Sequence, residues 1–444
     1  MYVLYSLVSL ALFLVVSPYF LYQAIRYRKY VGSLGQRLGY LPVSFNLDGD
    51  RSIWIHAVSV GEVLTARSLV GDLRARYPNL RLFLSTTTMT GQRVARSNIQ
   101  HVDAVFFFPF DFAFIVRRTL RLVRPRLFIM METEIWPNLL RACRRSGVRT
   151  LLVNGRISSR SYPRYRLARP LFRRVLRHID RFCMQGEESA RRIIDLGADP
   201  ARVTVTGSLK FDSLELPTAE SLGRGPGRVL RFFRVAANRP VVIAASTIKG
   251  EDEMVLAAFR RVKRTWPGAL LILAPRKPER FGDAEALVRQ EGFSVARRTD
   301  LRIDAEPAED VVVLDSIGEL ARVFQVATVV FVGGSLVDAG GHNILEPAVF
   351  GKPILFGPHM QNFAEIAQAF LEHQAAVQVG SARELEDTLA ALVGDPVRQA
   401  RVGAAARALV EANRGAKDKS LAVIAGLLPP ASFASVVTPF RRVQ

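Results

Sequence analysis

A run of glycine, polar and acidic residues at 333–347 has the composition of a nucleotide-binding loop. It follows an apolar stretch at 327–332, which predicts a buried strand, and precedes a segment with helical spacing at 342–350. The start of that helix, near Gly341, would present unpaired backbone N–H groups and a helix dipole to a phosphate. Glu346, about one turn further, would accept hydrogen bonds from ribose hydroxyls. Close packing of the backbone is the alternative reason for the glycines.

An acidic side chain stands at the first predicted strand–helix turn of the chain. Glu62 lies where a strand predicted over 54–60 gives way to a helix predicted over 62–77. Ligands of open α/β sheets bind at the carboxyl ends of strands, so Glu62 is placed to act as a base on an alcohol. The alternative is a first-turn glutamate that only complements the dipole of its own helix.

Two more carboxylates follow the strand predicted over 126–131. Glu132 and Glu134 would point to the same side of an extended segment, since they are two residues apart. Such a pair can share a proton or bind a cation, and salt bridges to neighbouring arginines are the alternative. An Asp-x-Asp pattern at 48–50 precedes the first sheet strand and is interpreted as a turn.

Basic side chains stand at two further predicted strand ends. Lys210 follows a strand predicted over 203–207, where a cation can meet developing phosphate or carboxylate charge. A solvated surface lysine is the alternative. Arg276 follows a strand predicted over 269–275 and is placed to bind a phosphate.

Five motifs resemble those of the Kdo (3-deoxy-D-manno-octulosonic acid) transferases of lipopolysaccharide synthesis, which are two-domain glycosyltransferases that use a nucleotide sugar. The resemblance covers nearly the whole chain and implies the GT-B fold, with two facing Rossmann-like domains that have parallel sheets. The motifs are HAVSVGE at 56–62, METEIWPN at 131–138, TGSLKFD at 206–212, APRKPERF at 274–281 and GGSLVDAGGHNILEPAVFGKPILFGP at 333–358.

The resemblance also implies the roles of single residues. Glu62 matches the proton acceptor, Glu132 and Lys210 match transition-state stabilisers, and Glu134 is left as structural or secondary. The reaction implied is an inverting transfer of Kdo from CMP-Kdo to a phosphorylated lipid A precursor, lipid IVA, with no metal and no cofactor. The residues implied around the CMP of the donor are Pro275, Arg276, Ile317, Gly318, Glu319, Asn343, Ile344, Leu345 and Glu346.

The chain departs from the family pattern near the donor loops. The family usually has Ser-Thr-His-Glu-Gly-Glu, whereas this chain has Ile248 and Lys249 between Ser-Thr and Gly-Glu. The usual histidine of Pro-Arg-His-Pro is replaced by Lys277. These changes remove two polar side chains from the region that would contact the donor.

Strands and helices alternate from residue 52 onward, which predicts an α/β protein with doubly wound parallel sheets. The predicted strands are 54–60, 80–88, 104–108, 126–131, 150–154, 181–185 and 203–207, and then 241–245, 269–275, 311–314, 327–332, 353–356 and 376–379. The predicted divisions are an anchor helix at 1–25, an acceptor-binding domain at 26–215, a linker at 216–238, a CMP-sugar-binding domain at 239–415, and a C-terminal helix and tail at 416–444 that can pack back on the first domain.

The net charge of +21 is concentrated in one part of the chain. Residues 117–181 contain 18 arginines and no lysine, against three acidic residues. Arginine binds phosphate in a bidentate manner, so this density indicates an anionic partner. The aromatic interleaving and the modules of nucleic-acid-binding proteins are missing, which favours the anionic lipids of a membrane.

The N-terminal segment fits that interpretation. Residues 1–25 carry no charge and 2–20 are almost wholly apolar, a length that can span a bilayer. Positive charge follows at once, which predicts an inner-membrane protein with its catalytic domains on the cytoplasmic side. A buried core helix and a shallow interfacial anchor are the alternatives. Two cysteines form no disulfide framework, and the six scattered histidines show no metal-ligand spacing.

Two other functions remain open from the sequence. One keeps the fold and changes the sugar, which gives another lipid-directed nucleotide-sugar transferase, such as a UDP-sugar enzyme. The other is a membrane-tethered, non-enzymatic binder of anionic lipid. Release of CMP from CMP-Kdo in the presence of a lipid acceptor distinguishes all three.

Overall fold

The chain divides into two compact units, one made of residues 1–213 and 414–444 and the other of residues 214–413. The computed structural model describes residues 2–27, 31–159, 161–214, 230–236 and 238–429. Residues 216–229 and 237 of the predicted linker therefore lie outside the described residues, as does most of the predicted tail, from residue 430 onward.

The first unit is built on a parallel sheet of seven strands. They are β1 (Ser52–His56), β2 (Arg81–Thr86), β3 (Ala104–Phe107), β4 (Pro125–Met131), β5 (Arg149–Gly155), β6 (Arg181–Met184) and β7 (Val203–Val205). Their order in the sheet is β3-β2-β1-β4-β5-β6-β7. Strand order reverses between β1 and β4, and open α/β sheets bind ligands at the carboxyl ends of the strands at such a point.

Helices cover both faces of this sheet. They are α1 (Tyr2–Tyr27), α2 (Val31–Arg37), α3 (Val60–Arg76), α4 (Met89–Asn98), α5 (Ala113–Val123), α6 (Pro137–Arg145), α7 (Tyr162–Leu167), α8 (Arg169–Leu176), α9 (Glu187–Asp195) and α10 (Leu209–Asp212). Residues of α5, α6, α8 and α9 share one buried core with Trp54 and Phe128 of the sheet. Residues of α3 and α4 share the other core with Ile53 and Ile55. Alternate residues of β1 therefore point to opposite cores, as in any strand covered on both faces.

The second unit repeats this architecture. Its strands are β8 (Val241–Thr247), β9 (Leu270–Pro275), β10 (Val295–Arg297), β11 (Val311–Val313), β12 (Val329–Val332), β13 (Ile354–Phe356) and β14 (Val377–Gln378). Their order is β10-β11-β9-β8-β12-β13-β14, again with every pair parallel and a reversal between β8 and β12. Its helices are α11 (Asp252–Thr265), α12 (Phe281–Gln290), α13 (Leu320–Val323), α14 (Leu345–Val349), α15 (Ala364–Glu372), α16 (Ala382–Val393) and α17 (Pro396–Ala412).

The last described helix, α18 (Ala416–Leu427), belongs to the first unit. Its Leu421 and Ile424 are buried in the same core as α3 and α4. The carboxylate of Asp212 accepts hydrogen bonds of 2.8 Å from the backbone N–H groups of Gly415 and Lys417 at the start of α18. The helix is therefore held by both apolar packing and a carboxylate at its N-terminus.

The N-terminal helix α1 is long and apolar enough over Tyr2–Tyr19 to cross a membrane, by length and composition alone. It also contacts the body of the first unit. The hydroxyl of Tyr5 donates to Asp111 at 3.1 Å, and the ring of Phe13 lies 5.2 Å from that of Phe110.

The alternation of strands and helices predicted from the sequence is confirmed, and three local predictions are corrected. The helix predicted over 342–350 is only α14, because Asn343 caps it at Leu345 and Gly351 ends it at a φ of +63°. The edge strand β10 was not predicted, since its residues are only partly buried and form no continuous apolar run. Glu132 adopts a φ of +54°, so it is not part of an extended segment.

Candidate active site

In the first unit, a buried carboxylate stands at the carboxyl end of β1. Glu62 is the third residue of α3, and Ser59 is the residue before that helix. The hydroxyl of Ser59 donates to one oxygen of Glu62 at 3.0 Å, and the backbone N–H of Val58 donates to the other at 2.9 Å. The backbone N–H of Glu62 in turn donates to the Ser59 hydroxyl at 3.4 Å. This arrangement resembles a capping box, and it explains why α3 starts here.

The environment of Glu62 disfavours its charged form. Burial, the charge of Glu132 and, to a smaller extent, the charge of Glu134 together raise the pKa of Glu62 to about 7, although hydrogen bonds from Val58 and Ser59 oppose the shift. The structure thus brings the three carboxylates predicted from the sequence to the reversal between β1 and β4. Each oxygen of Glu62 keeps acceptor capacity, and a pKa near neutrality suits a general base.

The segment after β4 is a turn, which changes the predicted arrangement of its two carboxylates. Because Glu132 has a left-handed backbone, the prediction that Glu132 and Glu134 share one side of an extended segment is wrong. The backbone N–H of Glu132 donates to Val153 at 3.0 Å. Glu134 instead accepts a hydrogen bond of 3.0 Å from the indole of Trp136. The charges of both Glu132 and Glu134 nevertheless act on Glu62.

His56, at the end of β1, is a site residue that sequence reasoning missed. Its side chain is fully buried, its ring stacks on Phe108 at 3.7 Å, and its Nδ1 lies 3.0 Å from the hydroxyl of Ser85. Its Nε2 is 3.7 Å from a carboxylate oxygen of Glu134. The Nε2 of His56 is thus buried next to Glu134 without a hydrogen bond in the described structure, and the place of His56 at the start of the HAVSVGE motif was the available signal.

Lys210 lies in the short helix α10, which packs against α3 at the same edge of the sheet. The hydroxyl of Ser208 accepts from the Lys210 backbone N–H at 3.4 Å. The side chain of Asn154, fully buried at the end of β5, accepts from the backbone N–H of Leu209 at 3.0 Å. The turn that carries Lys210 is thus fixed by a residue of a central strand.

In the second unit, a fully buried carboxylate holds the glycine-rich loop after β12. Glu251 precedes α11, and each of its two carboxylate oxygens accepts two hydrogen bonds of 2.6–3.1 Å from backbone N–H groups. The donors are Ile248, Gly334, Ser335 and Leu336. Glu251 was not among the predicted site residues, although it is the last residue of the segment in which this chain departs from the Ser-Thr-His-Glu-Gly-Glu motif of the family. Ile248 contributes its backbone N–H, so the change of its side chain preserves this contact.

The loop also depends on glycine for close approach. A Cβ at Gly333 would lie 2.7 Å from the Cα of Thr247, the last residue of β8. Gly340 and Gly341 adopt φ values of +87° and +71°, which glycine reaches without strain. Close packing of the backbone, the alternative that the sequence offered, therefore accounts for these glycines, and phosphate binding stays a prediction.

Asn343 organises the start of α14. Its side-chain oxygen accepts from the backbone N–H of Leu345 at 3.1 Å, and its side-chain nitrogen donates to Glu346 at 3.0 Å. Because α14 has five residues, a phosphate at its N-terminus would gain little from a helix dipole. Ile344 and Leu345 have no exposed surface, so in this structure they pack inside the second unit.

Arg276 and Glu346, which come from different strand–helix turns, meet in this loop region. Burial raises the pKa of Glu346, and the hydrogen bond from Asn343 and the charge of Arg276 oppose that shift. Burial and the same Arg276 charge lower the pKa of His342 to about 4, so His342 is neutral at pH 7. Arg276 itself is exposed, and its backbone N–H donates to Thr247 at 2.9 Å. An exposed guanidinium beside a carboxylate can bind an anion and a hydroxyl-bearing group together.

The predicted residues at 317–319 form a turn before α13. Gly318 has a φ of +87°, and the side chain of Ile317 is 84% exposed. Glu319 accepts a hydrogen bond of 2.8 Å from Arg298, whose guanidinium lies 3.6 Å above the ring of Phe232. Glu319 therefore fixes this turn, and Ile317 offers an apolar surface at its tip. Pro275, at the end of β9, is buried.

Comparisons with known proteins agree with this architecture. The family model described as 3-Deoxy-D-manno-octulosonic-acid transferase (kdotransferase) matches residues 32–213. A 3-deoxy-D-manno-octulosonic acid transferase of Haemophilus influenzae is 34% identical, with 90% of this chain and 92% of the relative covered. That of Bordetella pertussis is also 34% identical, with 87% and 91% covered.

Solved structures add information on the fold alone. The UDP-GlcNAc 2-epimerase from Neisseria meningitidis, bound to UDP-GlcNAc, is 12% identical to this chain. It matches with a TM-score of 0.54 over 81% of this chain and 98% of its own. This structural similarity and the two parallel seven-stranded sheets show that the chain has the GT-B fold.

A first prediction concerns Glu251. In Glu251→Gln an amide nitrogen replaces one oxygen and faces two N–H donors, so two of the four hydrogen bonds are lost. We expect the free energy of unfolding of the second unit to fall by about 2–4 kcal/mol, measured by urea denaturation. Glu253→Gln, an exposed position on the same helix, is the matched control and should change it by less than about 0.5 kcal/mol. Equal stability of the two variants would show that Glu251 does not hold the loop.

A second prediction concerns the pH dependence of stability. Because the folded pKa of Glu62 lies near 7 and the unfolded value near 4.5, its protonated form stabilises the fold below about pH 4.5 and this contribution is lost as pH rises through 7. The side chain of Glu62→Gln stays neutral at every pH, so the variant does not lose this stability as pH rises. It should be more stable than the parent by about 2–3 kcal/mol at pH 8 and by little at pH 4.5. Asp111, whose pKa burial also raises to about 7, is unchanged in both proteins and cancels. If the free energies of unfolding of the two proteins differed by the same amount at pH 4.5 and at pH 8, the raised pKa of Glu62 would be contradicted.

Proposed function

The chain belongs to the 3-deoxy-D-manno-octulosonic acid transferase family and is a glycosyltransferase, and we propose that it moves Kdo from CMP-Kdo to a phosphorylated lipid A precursor, lipid IVA, with inversion at the anomeric carbon. The observation that carries the proposal is the buried carboxyl of Glu62, whose pKa burial raises to about 7 at the strand reversal of the first unit. A carboxylate with that pKa accepts a proton at neutral pH and still returns it readily.

The proposed step forms one bond and breaks one. The Glu62 carboxylate takes the proton of the acceptor hydroxyl as the hydroxyl oxygen bonds to the anomeric carbon of Kdo. The bond from that carbon to the phosphate oxygen breaks, and CMP leaves with the electron pair. Attack from the face opposite the phosphate gives inversion. The hydrogen bonds from Val58 and Ser59 hold the carboxylate in one orientation through the step.

The other carboxylates tune this base. Glu132 and Glu134 raise the pKa of Glu62 by their charge, which makes it a stronger base than an ordinary glutamate. We assign Glu132 and Lys210 the stabilisation of the transition state, as the family resemblance implies. Lys210 supplies positive charge at the same sheet edge, which would meet charge that develops on the reacting groups.

The CMP of the donor is assigned to the second unit. Arg276 would bind the phosphate and Glu346 the ribose hydroxyls, since the two side chains interact electrostatically and differ in charge. Asn343 orients Glu346, and the backbone of 317–319 and 343–345 would contact the remaining polar groups. Glu251 would preserve the shape of this loop without contacting the nucleotide, because its side chain is fully buried.

Attachment to the inner membrane follows from the nature of the acceptor. A lipid precursor stays in the bilayer, so the enzyme must work at the membrane surface. The apolar helix α1 and the arginine-rich segment 117–181 supply an apolar and an electrostatic contribution to binding at the anionic cytoplasmic face.

Replacement of the proposed base tests the mechanism. Glu62→Gln keeps size and hydrogen bonding but cannot accept the proton, so release of CMP from CMP-Kdo with lipid IVA should slow by about 10²- to 10⁴-fold. In the parent, the rate should rise with pH up to about 7, because the base must be deprotonated. CMP affinity should barely change, since CMP is assigned to the other unit. A variant that transfers Kdo at near the parent rate would move the role elsewhere, with Glu132 next to be tested.

A separate measurement tests the donor site. Arg276→Ala should weaken CMP binding by about 1.5–3 kcal/mol in calorimetry, the range of a lost charge-assisted contact. Arg401→Ala, an exposed arginine on α17, is the matched control for the loss of one positive charge. The same CMP affinity in both variants would show that Arg276 is structural.

A further inference from the structure

The first turns of the N-terminal helix α1 carry polar side chains that contact the first unit. The hydroxyl of Tyr2 is hydrogen-bonded to Nε2 of His178 at 2.8 Å, and that of Tyr5 donates to Asp111 at 3.1 Å. The side-chain nitrogen of Asn138 donates to Ser6 at 3.1 Å. These hydrogen bonds fix the first turn and a half of the helix to the unit.

The partners of α1 belong to the rigid part of the unit. Asp111 is 8% exposed, and its carboxylate also accepts from the backbone N–H groups of Asn138 and Leu139, at 2.9 and 2.8 Å, at the start of α6. Further along α1, the ring of Phe13 packs edge-on against Phe110 and Phe112 at 5.2 and 5.9 Å. The contacts from residue 2 to residue 13 extend over roughly 16 Å of helix.

Over residues 3–15, the side of α1 that points away from the first unit carries apolar side chains. Its side chains are more than half exposed and recur at helical spacing, at Val3, Leu4, Leu7, Val8, Leu12 and Val15. Each such side chain gains about 1.5–3 kcal/mol on full burial, so this face favours an apolar environment. A helix with one polar, docked side and one apolar side has the character of an interfacial anchor.

Positive charge surrounds the N-terminal end of α1. The guanidinium of Arg141 lies 4.5 Å above the ring of Tyr2. His178, bonded to Tyr2, has its pKa lowered by burial and by the charges of Arg144, Arg141 and Arg145. Each basic side chain near an anionic membrane surface contributes about 1 kcal/mol to binding. The apolar face and these arginines therefore match one partner, an anionic lipid surface.

A helix that spanned the bilayer could not keep these contacts. With Arg26 in the cytoplasm, Tyr2 would lie roughly 36 Å away along the helix, beyond a hydrocarbon core of about 30 Å. Tyr2 is instead bonded to the same unit that carries the carboxylates of the first sheet edge. Moving Arg141 and its neighbours into the hydrocarbon is costly.

From these contacts we infer that α1 lies in the plane of the membrane surface, docked on the first unit, with both of its ends on the side of the catalytic units. The apolar face at Val3, Leu7 and Val15 enters the boundary between headgroups and acyl chains, and the nearby arginines bind the anionic headgroups. The inference rests on the membrane attachment proposed above, and it replaces a spanning helix by an in-plane one.

Labelling of single cysteines tests this orientation. Leu4→Cys, Leu12→Cys and Tyr19→Cys place a thiol on exposed positions along α1, and Val397→Cys, 80% exposed in the second unit, marks the catalytic side. Cys143 and Cys183 are fully buried and should not react in the folded protein. Each variant of the full chain is labelled with the NBD fluorophore and reconstituted into vesicles of phosphatidylethanolamine and phosphatidylglycerol.

The depth of each NBD label is measured by quenching with spin-labelled lipids. If α1 lies in the membrane plane, the labels at positions 4, 12 and 19 should all be shallow and of similar depth. The label at position 4 should be reduced by membrane-impermeant dithionite from the same side as the label at 397. A deepest label at position 12, with position 4 protected on the side where 397 reacts, would overturn the inference. Kdo transfer in the same vesicles is scored separately, so an inactive preparation with all labels on one side would contradict the proposed function and support the orientation.

Discussion

The structure depends on the way a buried carboxylate is compensated at the first strand–helix turn of each unit. Both turns contain a Gly-Glu pair, Gly61-Glu62 after β1 and Gly250-Glu251 after β8, and both lie where strand order reverses. A buried charge is stable only when hydrogen bonds or opposite charges replace its hydration. Glu251 has four backbone N–H donors and no exposed surface, whereas Glu62 has two donors and two carboxylates nearby.

This difference separates a structural role from a chemical one. The four donors of Glu251 satisfy its charge and join the turn after β8 to the loop after β12, so the residue fixes the shape of the donor region. Glu62 is left under-compensated, which raises its pKa to about 7 and makes proton transfer easy. The same residue type at equivalent points of two similar sheets thus stabilises one unit and, in the mechanism that we propose, serves as the base in the other, at some cost in stability.

Most strands of both sheets were predictable from the sequence because parallel strands buried on both faces appear as continuous apolar runs. The strand ends then located Glu62, Lys210 and Arg276 at the correct edge of each sheet. The failures arose where local conformation or distant contacts decide: the left-handed backbone of Glu132 has no sequence signature, and Glu251 binds residues 83–85 positions away. The proximity of His56 to Glu134 was hidden for the same reason, since it brings the end of β1 next to the turn after β4.

The position of α18 has a consequence for the synthesis of the protein. Because this helix completes the core that contains α3 and α4, the first unit is interrupted in the chain by the whole of the second. A ribosome adds about 5–20 residues per second, so roughly 200 residues of the second unit delay the arrival of α18 by about 10–40 seconds. During that interval the apolar surface around Leu151 and Cys183 lacks its last cover, while α1 has long been available to the membrane. The nascent first unit therefore keeps apolar surface exposed, of the kind that chaperones bind, until translation ends.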